Sequence, residues 1–193
     1  MPQIVRSSNT RKVDRSVFNA KTPKVLNTYI PSVSCTIFKN SKPSQMLPEG
    51  YTFRPVEKSD HADYVATLSV LTHVGEISAA QFSELLDHWA QNESIYYPRV
   101  IADQNNKVVA TGMIVVERKL VHGCGKVGHI EDIAVAKDQQ GKKLGQHMIQ
   151  ELSKIGHGLG CYKVILDCSE HNVGFYEKCD YKRYGSAMSI RYD

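Results

Sequence analysis

The sequence predicts an α/β chain in which helices flank a central mixed β-sheet, and three observations carry that prediction. Two β-branched runs, PRVIADQ and VVATGMIVVERKLVH, are joined by the turn residues NNK, which is a hairpin signal. Stretches on either side of the hairpin repeat apolar residues at helical spacing. From residue 129 to 168 the order is strand (HIEDIAVA), glycine-containing loop, helix, strand (YKVILDC), the alternation from which α/β layers are built.

A chain of 193 residues with 41% apolar and 23% charged residues has the size and balance of one soluble domain. No apolar run approaches the roughly 18 residues that cross a bilayer, and the N-terminus lacks the apolar core of a secretory signal. An intracellular, cytoplasmic protein without a membrane partner is expected. The net charge of +4 is uneven, because residues 1–45 hold eight Lys/Arg against Asp14, a charge of +7 that leaves −3 for the rest. A nucleic-acid footprint needs cations clustered on the folded surface, so no nucleic-acid partner is expected. Five cysteines (35, 124, 161, 168 and 179) without a C-x-x-C pair argue for reduced thiols and against a disulfide framework. His122, Cys124 and His129 lack a fourth ligand at regular spacing, and no metal is expected.

Residues 1–45 are rich in Ser, Asn, Thr, Lys and Arg and show no sustained periodicity, the composition of a disordered basic extension. A mitochondrial presequence, a solvated tail and sequence upstream of a start at Met46 all fit it, so a mitochondrial location is the alternative to the cytoplasm. Order is expected from MLPEGYTFRPV, where Tyr51 and Phe53 alternate with polar neighbours as in a short strand. Ser59 or Asp60 is placed to cap a helix carrying Tyr64, Leu68 and Leu71. Ser78 with Gln81 forms a capping box ahead of Phe82, Leu85, Leu86 and Trp89. After the hairpin and HIEDIAVA, a helix puts Leu144, Met148, Leu152 and Ile155 on one stripe. Cys168 is expected to be a buried strand residue. Ser169 is placed to cap a short helix, and the terminal YKRYGSAMSIRYD has the alternation of closing strands.

GCGKVG, residues 123–128, fits G-x-G-x-x-G, but a dinucleotide fingerprint needs a helix after its glycines. Here a strand follows, so the motif is a connection. The phosphate-binding candidate is the loop QQGKKLG, whose helix start offers free amides, the positive end of the helix dipole, and Lys142 and Lys143.

HIEDIAVA, then QQGKKLG at a helix start, then YKVILDCSEHNVGFYEKC, resembles the GNAT superfamily of N-acetyltransferases. The segments VLTHVGEIS, GHIEDIAV, QQGKKLG, CYKVILDC and NVGFYEKC together are very similar to eukaryotic glucosamine 6-phosphate N-acetyltransferases, especially those of yeasts. The resemblance covers about residues 48–193. It implies the GNAT fold, an N-acetyltransferase domain over residues 46–193, and acetyl transfer from acetyl-CoA to glucosamine 6-phosphate on the route to UDP-N-acetylglucosamine. A non-catalytic CoA-binding module and an acetyltransferase for another amine, such as protein lysine, are the rival classes. The family's loop is usually Q/R-x-x-G-x-G/A, and Lys143 stands where its middle glycine is expected. That departure implies a changed loop geometry or an added cation.

The resemblance further implies that Ile133, Ala134 and Val135 hold acetyl-CoA through their backbone, with Gly141, Lys142, Lys143, Leu144, Gly145 and Gln146 around its pyrophosphate and Asp167 where amine and thioester meet. It places Thr72, Lys119, Leu120, Val121, His122, Glu131, Asp132, Ile133, Tyr162, Lys163 and Arg191 around the amino sugar, with some contacts crossing between the subunits of a homodimer. Tyr176 matches the family tyrosine near the CoA sulfur, and a phenol can donate a proton to a departing thiolate. Glu131 and Asp167 are the carboxylates that can draw a proton from the amine. No Ser or Cys stands in a recognised nucleophile motif, so direct transfer without an acyl-enzyme is expected.

Overall fold

A computed structural model describes residues 46–192. The basic extension expected over residues 1–45, with Cys35, lies outside the described residues. The chain order is β1 (Thr52–Pro55), α1 (His61–Leu68), α2 (Ala79–Gln91), β2 (Tyr96–Ala102), β3 (Val108–Arg118), α3 (Val121–Cys124), β4 (Lys126–Val135), α4 (Leu144–Gly158), β5 (Cys161–Ile165) and α5 (Val173–Glu177). The five strands form one sheet in sequence order. β1 to β4 are antiparallel neighbours, and β5 runs parallel to β4. Short connections join β2 to β3 and β3 to β4 as antiparallel neighbours, the excursion through α1 and α2 returns β2 antiparallel to β1, and the α4 crossover brings β5 back parallel. The sheet is therefore mixed and flanked by helices, as expected.

The core divides by sheet face. α4 contributes Leu144, Met148, Ile149 and Leu152 to a cluster with Ile101, Val109, Ile114 and Ile130. Tyr64 from α1 and Phe82 and Leu86 from α2 pack with Val100 and Val108, joined at the margin by Trp89. Gly112 sets how closely α4 approaches, since a Cβ there would stand 2.6 Å from Ile133 Cδ1 and 2.9 Å from Met148 Cγ. The Ser78–Gln81 capping box forms in full. In the hairpin turn Asn106 takes the positive φ, and Asp103 Oδ1 accepts from the amides of Asn105 and Lys107.

Four expectations change. Asp60 does not cap α1 through its side chain; it is buried and takes a bidentate pair from Arg54 at 2.7 and 2.8 Å, which holds β1 to the start of α1. The hydrogen bond to Asp60 is the main cause of a raised Arg54 pKa. Leu71 lies past the end of α1 and is exposed. Cys168 is exposed because β5 stops at Ile165. No strand forms over residues 182–192, and Tyr184, Met188, Ile190 and Tyr192 are exposed. Alternation marks a face that needs covering, and among the described residues nothing covers it.

Candidate active site

The site begins with an asymmetry in how β4 is paired. Against β3 its register runs from Lys126 to Val135, but against β5 it stops at His129 opposite Ile165. From Glu131 to Val135 the edge turned away from β3 has no strand partner among the described residues. Val135 O receives only a long contact of 3.4 Å from Gln140 Nε2. Unpaired backbone in a cleft is a ready ladder for an extended amide-bearing ligand.

A bulge lies at the mouth of this edge. Thr111 pairs with Ala134 and Met113 with Glu131, so Gly112 faces both Asp132 and Ile133. Asp132 takes φ 58, a region that Asp tolerates better than most residues, and its carbonyl accepts from the buried Thr111 hydroxyl at 3.0 Å. The bulge resets the alternation. Glu131 and Asp132 are both exposed, while Ile133 turns to the core. Partial dehydration in the cleft raises both carboxyl pKa values, and for Glu131 the charges of Asp132 and Asp167 add to the rise while His129 opposes it. Asp167 thus sits within electrostatic reach of Glu131.

Across the opening lies the start of α4. Gly141 has φ 83 and open space around it. Lys143, the N-cap, has φ 63 and ψ 15 and no side-chain cap. Leu144, Gly145 and Gln146 are the first three helical residues, and their amides have no partner within the helix. Lys143 therefore keeps the left-handed conformation that a glycine would adopt freely, at a cost on the order of 1–2 kcal/mol. The Leu144 side chain belongs to the core, so only its backbone is available to a ligand. The Lys142 ammonium is held 2.9 Å from Tyr51 Oη and 2.7 Å from Gln139 Oε1. The sequence marks Tyr51 only as a strand residue and Gln139 only as the first residue of the QQGKKLG loop, so neither is read there as a partner of Lys142.

Tyr176, on α5, is half-buried, with Phe175 edge-on at 5.0 Å and Tyr181 edge-on at 6.4 Å. Burial first, then Cys168 and Cys179, raises its pKa. The phenol is therefore protonated at neutral pH and equipped to donate.

The remaining predicted residues are only partly gathered. The turn into β4 winds left-handed, with His122 at φ 55, Gly123 at φ 64 and Cys124 at φ 60. It places His122 on Tyr162 with ring centroids 4.2 Å apart. Lys163 lies 5.8 Å from the Tyr162 ring centroid and 4.7 Å from that of Tyr184. Leu120 and Val121 are exposed, as is Thr72 in the turn that ends α1. Arg191 lies in the exposed terminal segment. The backbone at Lys126, where this turn enters β4, is about 16 Å along the strand from Glu131. His122 and Tyr162 thus mark the opposite end of β4 from the acidic pair. Lys119 reaches back: its ammonium is 2.5 Å from Glu117 Oε1, and Glu117 Oε2 contacts His129 Nε2 at 3.0 Å. Glu117 went unselected in the sequence and His129 was weighed there only as a metal ligand, although VVERK and GHIED each carry charge at alternating strand positions.

An open strand edge opposed to the amides of a glycine-loop helix defines an acyltransferase of the GNAT type, and the profile of the acetyltransferase (GNAT) family matches residues 63–181; the chain belongs to this family. Over 148 residues it is 57% identical to glucosamine 6-phosphate N-acetyltransferase of Candida albicans, covering 76% of this chain and 99% of that one. It is 42% identical over 149 residues to glucosamine 6-phosphate N-acetyltransferase 1 of Dictyostelium discoideum, covering 76% and 94%. The crystal structure of glucosamine-6-phosphate N-acetyltransferase from Arabidopsis thaliana superposes with a TM-score of 0.73 at 35% identity, covering 75% of this chain and all of that one. Within the family the chain takes its place among the glucosamine 6-phosphate N-acetyltransferases. Among the described residues no group of His, Cys, Asp and Glu is gathered to hold a metal ion, and no helix is long and apolar enough to cross a membrane.

The left-handed Lys143 yields a stability prediction. Lys143→Gly should leave the melting temperature unchanged or raise it, because the relief of about 1–2 kcal/mol outweighs the roughly 0.5–1 kcal/mol entropic cost of glycine. Lys143→Val should destabilise by about 1 kcal/mol or more, since a β-branched residue resists this conformation. Thermal denaturation of both variants reads the difference, and a glycine variant less stable than the valine variant would contradict it.

Proposed function

We propose that the protein transfers the acetyl group of acetyl-CoA to the amine of D-glucosamine 6-phosphate, giving N-acetyl-D-glucosamine 6-phosphate and CoA for UDP-N-acetylglucosamine synthesis in the cytoplasm. The observation that carries this reading is the parting of β4 from β5 opposite the free amides of α4, in a chain that belongs to the family. The backbone of Ile133 to Val135 pairs with the pantetheine arm, and residues 141–146 receive the pyrophosphate. This polarity fits both ligands, since anions favour a helix N-terminus and an ammonium favours the Glu131–Asp132 end.

Acetyl-CoA supplies the acetyl group as a thioester. Glu131 takes the proton that the sugar amine must lose, with Asp132 and Asp167 completing the acidic wall that orients it. Tyr176 gives its phenolic proton to the sulfur as the carbon–sulfur bond breaks and the carbon–nitrogen bond forms, and solvent restores both groups. Tyr176→Phe should lower kcat roughly tenfold or more while acetyl-CoA affinity changes little, because only the departing thiolate depends strongly on the phenol. An unchanged kcat would remove Tyr176 from this role.

The phosphate distinguishes a sugar-phosphate enzyme from a general amine acetyltransferase. Among the described residues Lys119 is paired with Glu117, whereas Lys163 and Arg191 form no ion pair with a carboxylate, so they are the cations best available to it. If each contributes on the order of 1.5–3 kcal/mol, Lys163→Ala and Arg191→Ala should lower kcat/KM for glucosamine 6-phosphate about 10- to 150-fold. Reaction with unphosphorylated glucosamine should hardly change. CoA release with both sugars and a lysine peptide tests the whole reading, and equal use of glucosamine and its phosphate by the unaltered protein would overturn it.

A homodimer with shared sites accounts for the half-gathered geometry. The turn 119–125 and the terminal segment expose Leu120, Val121, Met188, Ile190 and Tyr192, apolar surface of the kind that subunit contacts cover, and a two-fold axis would bring these segments to the partner's acidic pair. Co-refolding Glu131→Gln protein with Arg191→Ala protein then creates one intact site in each mixed dimer. Activity should recover to about a quarter of the unaltered level, given random pairing of subunits. No recovery, or a monomer by light scattering, would refute the shared site.

A further inference from the structure

Four ionisable side chains continue the active site along one face of the sheet. Glu117 on β3 lies opposite Val127 and diagonal to His129, whose backbone faces Val115, and Glu131 faces Met113. Residues 129 and 131 are two apart on β4, before the bulge, and so share a face. Glu117 is the hub: one oxygen accepts from Lys119 at 2.5 Å and the other contacts His129 Nε2 at 3.0 Å. Those contacts, Lys119 first and His129 second, hold the Glu117 carboxyl below its ordinary pKa. The imidazole is thereby anchored beside Glu131.

We propose that Glu117 and His129 are positioning residues for the transfer reaction, fixing an imidazolium next to Glu131 so that this carboxyl stays ionised as the proton acceptor. The inference rests on the reading of Glu131 as the group that takes the amine proton. The need for such a cation follows from what else surrounds Glu131. Asp132 stands beside it on β4, Asp167 approaches from the loop after β5, and partial burial removes some of its water; all three favour the protonated carboxyl. Tyr64 of α1, close to Asp132, is buried and its pKa is raised, so it stays a neutral phenol and adds no charge to the cluster. Lys119 is engaged by Glu117, and Lys163 lies over the rings of Tyr162 and Tyr184. His129 is the group whose charge lowers the Glu131 pKa.

The sign of the effect is fixed. Removing the imidazolium raises the Glu131 pKa, so the acidic limb of the kcat profile must move to higher pH, while the plateau at high pH, where Glu131 is ionised in any case, must remain. For a charge two strand positions away in a half-open cleft the displacement is about 0.5–1 pH unit. Damage to packing would lower the plateau and leave the limb in place. The substrate amine is common to all variants, so differences between profiles belong to the protein.

The experiment is the pH dependence of kcat for H129Q, H129K, E117Q and E131Q in the full-length protein, with glucosamine 6-phosphate and acetyl-CoA. H129Q should move the acidic limb upward with its plateau within about twofold of the unaltered protein, and H129K should bring the limb back by restoring the charge. E117Q, which releases the ring, should move the limb the same way by a smaller amount. A limb that stays in place in H129Q while E131Q loses turnover would overturn the positioning role and leave the Glu131 assignment standing. Normal turnover in E131Q would overturn that assignment instead.

Discussion

The structure depends on one strand having two different edges. β4 is bound to β3 along its whole length and to β5 only as far as His129, and the unpaired remainder becomes a binding surface because both neighbours are fixed independently. α4 packs across β3, β4 and β5, and Gly112, Gly128 and Gly156 let it lie close. A Cβ on Gly128 would stand 2.6 Å from Ile114 Cδ1, and one on Gly156 2.8 Å from both Ile114 and Val164. Close packing at this end pins β5 to β4, and beyond Ile165 the chain leaves for α5. The cleft is thus the consequence of tight packing below it, and needs no flexible element to stay open.

The bulge at Asp132 turns that edge into a chemical site. In an unbroken strand, Glu131 and Asp132 would face opposite sides of the sheet, and Asp132 would point toward Met148 and Leu152. The extra residue sends both acids outward and returns Ile133 and Val135 to the core. The cost is a non-glycine residue at positive φ, held by the buried Thr111 hydroxyl. Lys143 follows the same pattern at the other lip of the cleft. Two of the positive-φ non-glycine residues thus flank the opening, each where backbone direction matters more than local comfort.

Elements written in local chemistry were legible from sequence. The Ser78–Gln81 box, the α4 stripe and the hairpin turn need only residues a few positions apart, and all three form as expected. The splayed edge was legible through the family's motifs, since nothing in HIEDIAVA itself says where pairing with β5 must end. The bulge was not, because it exists only in the register between β3 and β4. Nor was the grip of Tyr51 on Lys142, which joins residues 91 positions apart. The terminal segment failed for a related reason. Alternation over Met188, Ile190 and Tyr192 records that one side seeks burial, but a period of two carries no information about which surface provides it.

The electrical arrangement of the cleft explains why its two lips must come from different parts of the chain. At the α4 lip the backbone presents unpaired amides, and Lys142 adds a cation tethered to Tyr51 and Gln139, so negative charge is favoured there without any side chain having to reorganise. At the β4 lip Glu131 and Asp132 stand side by side, where partial dehydration raises the pKa of both and, for Glu131, the charges of Asp132 and Asp167 add to the rise. His129, fixed by Glu117, lies on the side of that cluster away from the cleft, where it offsets the repulsion without occupying the space an amine would need. The separation follows from strand periodicity: successive same-face residues stand side by side, so a cation at 129 touches the field of 131 and stays out of its contacts. The site is thus an outcome of sheet geometry as much as of residue choice.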